Sequence, residues 1–260
     1  MDDPPPQEPQ ADDRPANDRP PATVVLVPGA WHGAWSFERV VPLLESAGVP
    51  AIAVDLPGHG DDPGPLTDLH GDAARVREVL DGIDGDVVLF GHSYGGAVIT
   101  EAGTHPAVRH LVYLAAFAVD DDESCAAAMP EEAEGIVPTD GPNLGEAFIF
   151  HADGTVTLEA AGVARFLYNE CPPDDVAWAV AHLDAHPLAS LGQSPATVAW
   201  RSVPSTYVVC TLDAAVHPEL QRLMARRCTT TVEWEADHSP FADRPDLLAD
   251  LLIGLASRSA

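Results

Sequence analysis

Residues 86–100, DVVLFGHSYGGAVIT, hold a strand, a tight turn and the start of a helix in one short stretch. DVVLFG (86–91) is apolar on both alternating sets of positions, as a strand in a parallel sheet covered on both faces must be. Tyr94 opens a helical pattern that runs to about Thr104. Between strand and helix lies Gly91-x-Ser93-x-Gly95. A turn this abrupt drives backbone against backbone, so side chains two residues either side of Ser93 would collide with neighbouring chain. The same turn pushes the Ser93 hydroxyl out of the sheet toward a cleft. It also leaves the Tyr94 N–H, at a helix N-terminus, free to donate to an oxyanion. A glycine-rich turn with a capping serine would share the motif, but the strand before it and the helix after it favour an exposed nucleophile.

Working outward, the same alternation recurs. TVVLVP (23–28) is a second continuous apolar run, and residues 35–47 carry Phe37, Val40, Val41, Leu43 and Leu44 at helical spacing up to Gly48. A strand is predicted at 49–54, a charged helix at 68–83 and a strand at 108–116. The pattern then breaks. Residues 118–203 contain acidic runs, prolines and amphipathic pieces, and read as an irregular, mainly helical insertion. Alternation resumes with a strand at 205–211, a helix at 218–227, a strand at 230–234 and a helix at 245–255. Strands alternating with helices predict an α/β domain over 23–260, with a mostly parallel central sheet, helices on both faces, and a cap of about 118–203 inserted after the strand at 108–116.

A serine hydroxyl at neutral pH needs a base to take its proton and a third group to orient that base. In chains with this turn the order is serine, acid, histidine. EADHSPF (235–241) places His238 just past the last strand, and STYVVCTLDAAVHPELQ (205–221) places Asp213 just past the strand before it. Asp120, Asp121 and Asp122, after the fourth strand, compete for the acid, but three adjacent acids at the start of a cap suit a solvated run better. A second oxyanion donor is expected from the loop after the first strand, VLVPGAWHGAWSF (25–37). There the Ala30 N–H is the first choice and the Trp31 N–H the near alternative.

The 260 residues include 41 acids against 13 bases, a formal net charge of −28, and every base is arginine. Such a surface repels phosphate backbones and anionic lipid heads, which excludes nucleic acid and membrane surfaces as expected partners. Salt adaptation and a coding bias toward arginine would each leave such an acidic, lysine-free composition. Residues 1–22 are rich in Pro and Asp and lack the apolar side chains that would offset ordering, so they read as a disordered acidic tail. They have neither the basic nor the apolar region of a signal peptide, and the chain has no apolar run of about 18 residues, so a soluble cytoplasmic protein is expected. The four cysteines are widely spaced and imply neither a metal site nor a disulfide framework, and Cys210 reads as a small buried hydrophobe.

Taken together, PGAWHGAWSF, DLPGHG, GHSYGG, YVVCTLDAAVHPELQ and EADHSPF resemble, in order, the α/β-hydrolases. More narrowly they resemble the small-esterase branch that includes plant methyl-ester esterases and hydroxynitrile lyases. The resemblance spans residues 23–256 and implies Ser93 as nucleophile, His238 as base, Asp213 as orienter, and the N–H groups of Ala30 and Tyr94 as oxyanion hole. It implies ester hydrolysis through an acyl-enzyme, with a small-molecule ester and water as partners and no cofactor or metal. Trp31, Tyr94, Phe117, Tyr168 and Trp178 become candidate pocket walls. The family's lyases carry a threonine in the oxyanion loop and a lysine after the base, where this chain has Gly29 and Ser239. Ester hydrolysis is therefore expected over a lyase, and over a non-catalytic binding module, which would need no Ser/His/Asp set.

Overall fold

The computed structural model describes residues 20–127, 137 and 142–258, and most of the expected tail lies outside these residues. Its centre is a sheet of six parallel strands. These are β1 (Thr23–Val27), β2 (Ala51–Ala53), β3 (Val87–His92), β4 (Val108–Leu114), β8 (Ser205–Cys210) and β9 (Thr230–Trp234). They lie side by side in the order β2-β1-β3-β4-β8-β9. Because side chains alternate across a strand, β1 sends Val24 and Leu26 into one core and Val25 and Val27 into another. The first core packs α1 (Val41–Ser46) and α9 (Pro245–Ala256) on one face of the sheet. The second packs α2 (Leu69–Asp81), α3 (Gly95–Ala102) and α7 (Pro218–Ala225) on the other. Every residue of β3 and β8 is buried, and each Val or Leu so placed contributes about 1.5–3 kcal/mol relative to exposure. This is the expected α/β architecture.

Two details differ from the sequence reading. The helix predicted at 35–47 is divided into a short 3₁₀ turn, Ala34–Phe37, and α1. Pro42, which lacks an N–H, stands in the first turn of α1, where a helix tolerates proline best. The insertion holds helices, as expected: α4 (Ala160–Gly162), α5 (Pro173–His182) and α6 (Leu188–Leu191). It also contains a small antiparallel sheet of β5 (Phe148–Phe150), β6 (Thr155–Leu158) and β7 (His186–Pro187). A further short helix, α8 (Pro240–Asp243), follows β9.

We propose that the domain begins with Ala22, the last residue of the expected tail. Ala22 is buried and its N–H donates to Ala256 O at 3.0 Å. Truncation before Pro20 is expected to leave the thermal midpoint within error. Removal through Ala22 should cost about 1 kcal/mol for the lost buried hydrogen bond. Equal midpoints for the two truncations would refute this boundary.

From β1 the chain passes to β2 on one side and then to β3 on the other. Open parallel sheets form their ligand crevice at such a reversal, beyond the carboxyl ends of the strands. The loop after β1 and the turn after β3 both open there.

Candidate active site

The turn after β3 has the geometry its glycines require. Ser93 has φ +51°, in the left-handed region where a non-glycine residue carries strain of order 1–3 kcal/mol. The surroundings hold it there: its N–H donates to Leu114 O (3.2 Å), and its carbonyl accepts from Gly96 (2.9 Å) and Phe117 (3.0 Å). A Cβ on Gly91 would lie 2.5 Å from Gly95 O, and one on Gly95 would lie 2.5 Å from Pro28 O. Both contacts are with backbone, which cannot swing away.

His238 follows β9, and its Nδ1–H donates to Asp213 Oδ2 at 2.7 Å, with both side chains buried. The Asp213 carboxylate collects three further donors. Oδ1 accepts from the Ala215 (2.7 Å) and Val216 (2.9 Å) N–H groups, and Oδ2 also accepts from Gln221 Nε2 (2.7 Å). Asp120 and Asp121 instead pair with Arg201 at the surface, and Asp122 is exposed. In the loop after β1, Trp31 has φ +67°. Among the described residues nothing accepts from the N–H of Ala30 or of Tyr94.

Several residues that hold this arrangement carry no local sequence signal. His32 donates from Nδ1 to Ala30 O (2.8 Å) and accepts at Nε2 from the Tyr168 hydroxyl (2.8 Å), which fixes the oxyanion loop. His92, beside the nucleophile, donates from Nε2 to the carbonyl of His238 at 2.9 Å, with ring centroids 4.6 Å apart. Under the turn, the Tyr94 hydroxyl donates to Asp72 Oδ2 (2.6 Å), and Thr67 donates to the other Asp72 oxygen (2.6 Å). From the cap, His186 meets the Tyr94 ring edge-on at 4.7 Å and bonds His59 at 3.0 Å.

A cavity of about 540 Å³ opens over Ser93, Ala30 and Tyr94, and Trp31 and Phe117 stand in its wall. Tyr168 and Trp178, also expected there, make other contacts. Tyr168 is spent on His32, and Trp178 packs edge-on against Trp35 at 4.9 Å.

The four cysteines are free, and Cys210 is buried as read. Folding brings Cys171, Asp237 and Asp243 within 4.8 Å of one another, a cluster their spacing did not suggest. Burial raises the Cys171 thiol and both carboxylates, and the thiol donates to Asp237 Oδ2 at 3.4 Å. Among the described residues, no helix is long and apolar enough to cross a membrane.

Burial also dictates the acid response. It lowers His32 from 6.5 to about 3 and holds His92 and His186 well below the usual range. In the unfolded chain all three imidazoles take up a proton below about pH 6.5, while the folded protein leaves them neutral. Stability is thus full above that pH and is lost as pH falls toward the folded values, by about 1.4 kcal/mol per pH unit for each group. Burial raises Asp72 and Asp237, which works in the opposite sense and offsets part of the loss. Urea midpoints should therefore fall steeply between pH 6.5 and 4.5, and a flat profile there would contradict the buried neutral histidines.

A family model for the alpha/beta hydrolases matches residues 24–251. The chain belongs to the alpha/beta hydrolase family. This hydrolase is 29% identical to Salicylic acid-binding protein 2 of Nicotiana tabacum over 254 residues, covering 90% of this chain and 96% of that one. It is 28% identical to Methylesterase 2 of Arabidopsis thaliana, covering 89% and 95%. Among solved structures, polyneuridine aldehyde esterase superposes with a TM-score of 0.76 at 24% identity, covering 90% of this chain and 99% of that one, a likeness of fold.

Proposed function

We propose that this alpha/beta hydrolase cleaves small-molecule carboxylic esters through an acyl-enzyme on Ser93. The observation that carries the reading is the buried 2.7 Å bond from His238 Nδ1 to Asp213. It fixes the tautomer that leaves Nε2 as an acceptor, and it opposes the positive charge that forms on the ring. Ser93 Oγ attacks the ester carbonyl and His238 takes its proton. The oxyanion is received by the Ala30 and Tyr94 N–H groups, preorganised donors whose loss costs about 10²–10³ in comparable sites. Collapse expels the alcohol, protonated by His238. Water then repeats the sequence in reverse and frees the acid. Ester-cleaving relatives and the free donors beside Ser93 support the reading.

The lyase alternative finds no support at its two diagnostic positions. A Cβ on Gly29 would lie 2.9 Å from His92 Nδ1 and 3.0 Å from Ser93 Cβ, so the threonine of the lyases does not fit without movement. Ser239 follows the base and brings no positive charge to meet a departing cyanide.

p-Nitrophenyl esters of increasing acyl length, run beside mandelonitrile, test the reaction, and a fluorophosphonate probe tests the nucleophile. Ester hydrolysis with covalent labelling of Ser93 alone is expected. Cyanide release without ester hydrolysis, or labelling elsewhere, would overturn the proposal.

A further inference from the structure

We propose that His59 is a positioning residue: it donates from both ring nitrogens and, through His186, holds the cap wall of the Ser93 cavity in place. The role in turnover rests on Ser93 being the nucleophile, whereas the hydrogen count behind it does not. His59 stands in the DLPGHG turn after β2, and His186 faces it from β7 of the cap. Both are buried, as is Ser190 of α6.

Four close contacts run in a line from one backbone carbonyl to another. Pro57 O lies 3.1 Å from His59 Nδ1, and His59 Nε2 lies 3.0 Å from His186 Nδ1. His186 Nε2 lies 2.9 Å from Ser190 Oγ, which lies 2.7 Å from Pro187 O. The two carbonyls at the ends can only accept. Ser190 therefore gives its single hydrogen to Pro187 and accepts from His186 Nε2–H. Four bonds need four hydrogens, but a hydroxyl and two neutral imidazoles supply three. In that state two lone pairs face each other somewhere along a buried line, which costs the unmatched acceptor its bond. One added proton completes the line.

The surroundings place that proton on His59. Burial holds His186 neutral, so its Nδ1 accepts from His59 Nε2–H. A positive His59 also favours the ionised forms of Asp62, in its own turn, and of Asp72, in α2. From the loop after β1, His32 is kept neutral by burial and adds no competing charge. From the cap, Asp184 accepts from the neighbouring Gly60 N–H at 2.8 Å and ties the same turn a second time.

The line ends at the cavity. Leu188 and Leu191, on either side of Ser190 in α6, both face it. His186 meets the ring of Tyr94 edge-on at 4.7 Å and lies 5.9 Å from that of Trp31, and both of these residues line the cavity. A His59 with one hydrogen would have two acceptors to serve, Pro57 O and His186 Nδ1, and its hold on the cap would weaken.

Ring ¹⁵N spectra at about pH 7, where an ordinary imidazole is mostly neutral, test the count directly. Two protonated nitrogens are expected on His59, and Nε2 alone on His186, with His59→Gln and His186→Gln assigning the signals. His59→Leu removes both donors and should lower kcat/KM for p-nitrophenyl esters by about tenfold, chiefly through KM, the scale for losing one buried hydrogen bond. His59→Gln keeps an N–H donor toward His186 and should restore most of that loss. An unprotonated nitrogen on His59 overturns the proposal, as does a glutamine variant no better than the leucine one. So does a leucine variant with unchanged KM. Should His59→Leu fail to fold, the spectra and the glutamine variant's KM against wild type decide. Any of these failures with Ser93 still labelled by the fluorophosphonate leaves the hydrolase reading standing. Loss of that labelling in the wild type removes the hydrolase reading and, with it, the role of His59 in turnover.

Discussion

Ser93→Ala is expected to abolish fluorophosphonate labelling and to lower kcat for p-nitrophenyl esters by about 10³-fold or more, the scale seen when a triad member is lost. Ser93 is 9% exposed, and that small opening faces the cavity where the probe must enter. Alanine removes the attacking oxygen but leaves the Ala30 and Tyr94 donors in place, so residual activity above the uncatalysed rate is expected. The fold should survive. Positive φ at position 93 is imposed by backbone bonds to Leu114, Gly96 and Phe117, none of which uses the hydroxyl. KM should change far less than kcat, because the rest of the cavity wall is untouched. A folded alanine variant that hydrolyses esters at the wild-type rate would sink the nucleophile assignment.

The elements read correctly from sequence are those whose physics is local. A strand buried on both faces must be apolar throughout, so β1, β3 and β8 announced themselves, and the Gly-x-Ser-x-Gly turn needed only its own neighbours to be recognised. Asp213 and His238 were legible because each sits just beyond the carboxyl end of a predictable strand. What stayed hidden depends on contacts between distant segments. His32 meets Tyr168, His59 meets His186, and His92 meets the backbone of His238, each pair separated by more than a hundred residues. Eleven histidines scattered along a chain give no sign of which will be buried neutral. The cap sheet was missed for a related reason. Its strands are two to four residues long, too short for alternation to show, and Ile149 and Phe150 are exposed.

Asp213→Asn is expected to cost about 10⁴-fold in kcat, the loss seen for the equivalent change in the serine-protease template, without unfolding the protein. The surrounding bonds fix which way the new amide must face. Oδ1 of Asp213 accepts from two backbone N–H groups, at Ala215 and Val216, and these cannot reverse. The asparagine must leave its carbonyl oxygen there and turn its NH₂ toward His238 and Gln221. Gln221 cannot adapt by flipping, because its Oε1 accepts from the Cys210 N–H (2.9 Å) and its Nε2 also donates to Val216 O (2.7 Å). The amide therefore donates to His238 Nδ1, and the ring's single proton moves to Nε2, the atom that must receive the proton of Ser93. The base is present but in the wrong tautomer. Two N–H donors, one from the new amide and one from Gln221, also face each other in a buried site, a cost of about 1–3 kcal/mol that lowers the thermal midpoint without abolishing the fold. Asn substitutions at Asp120, Asp121 or Asp122 should change kcat only a few-fold, since the first two are tied to Arg201 at the surface and the third is exposed. If one of those variants is the inactive one and Asp213→Asn keeps its rate, the acid that orients His238 during turnover is not Asp213.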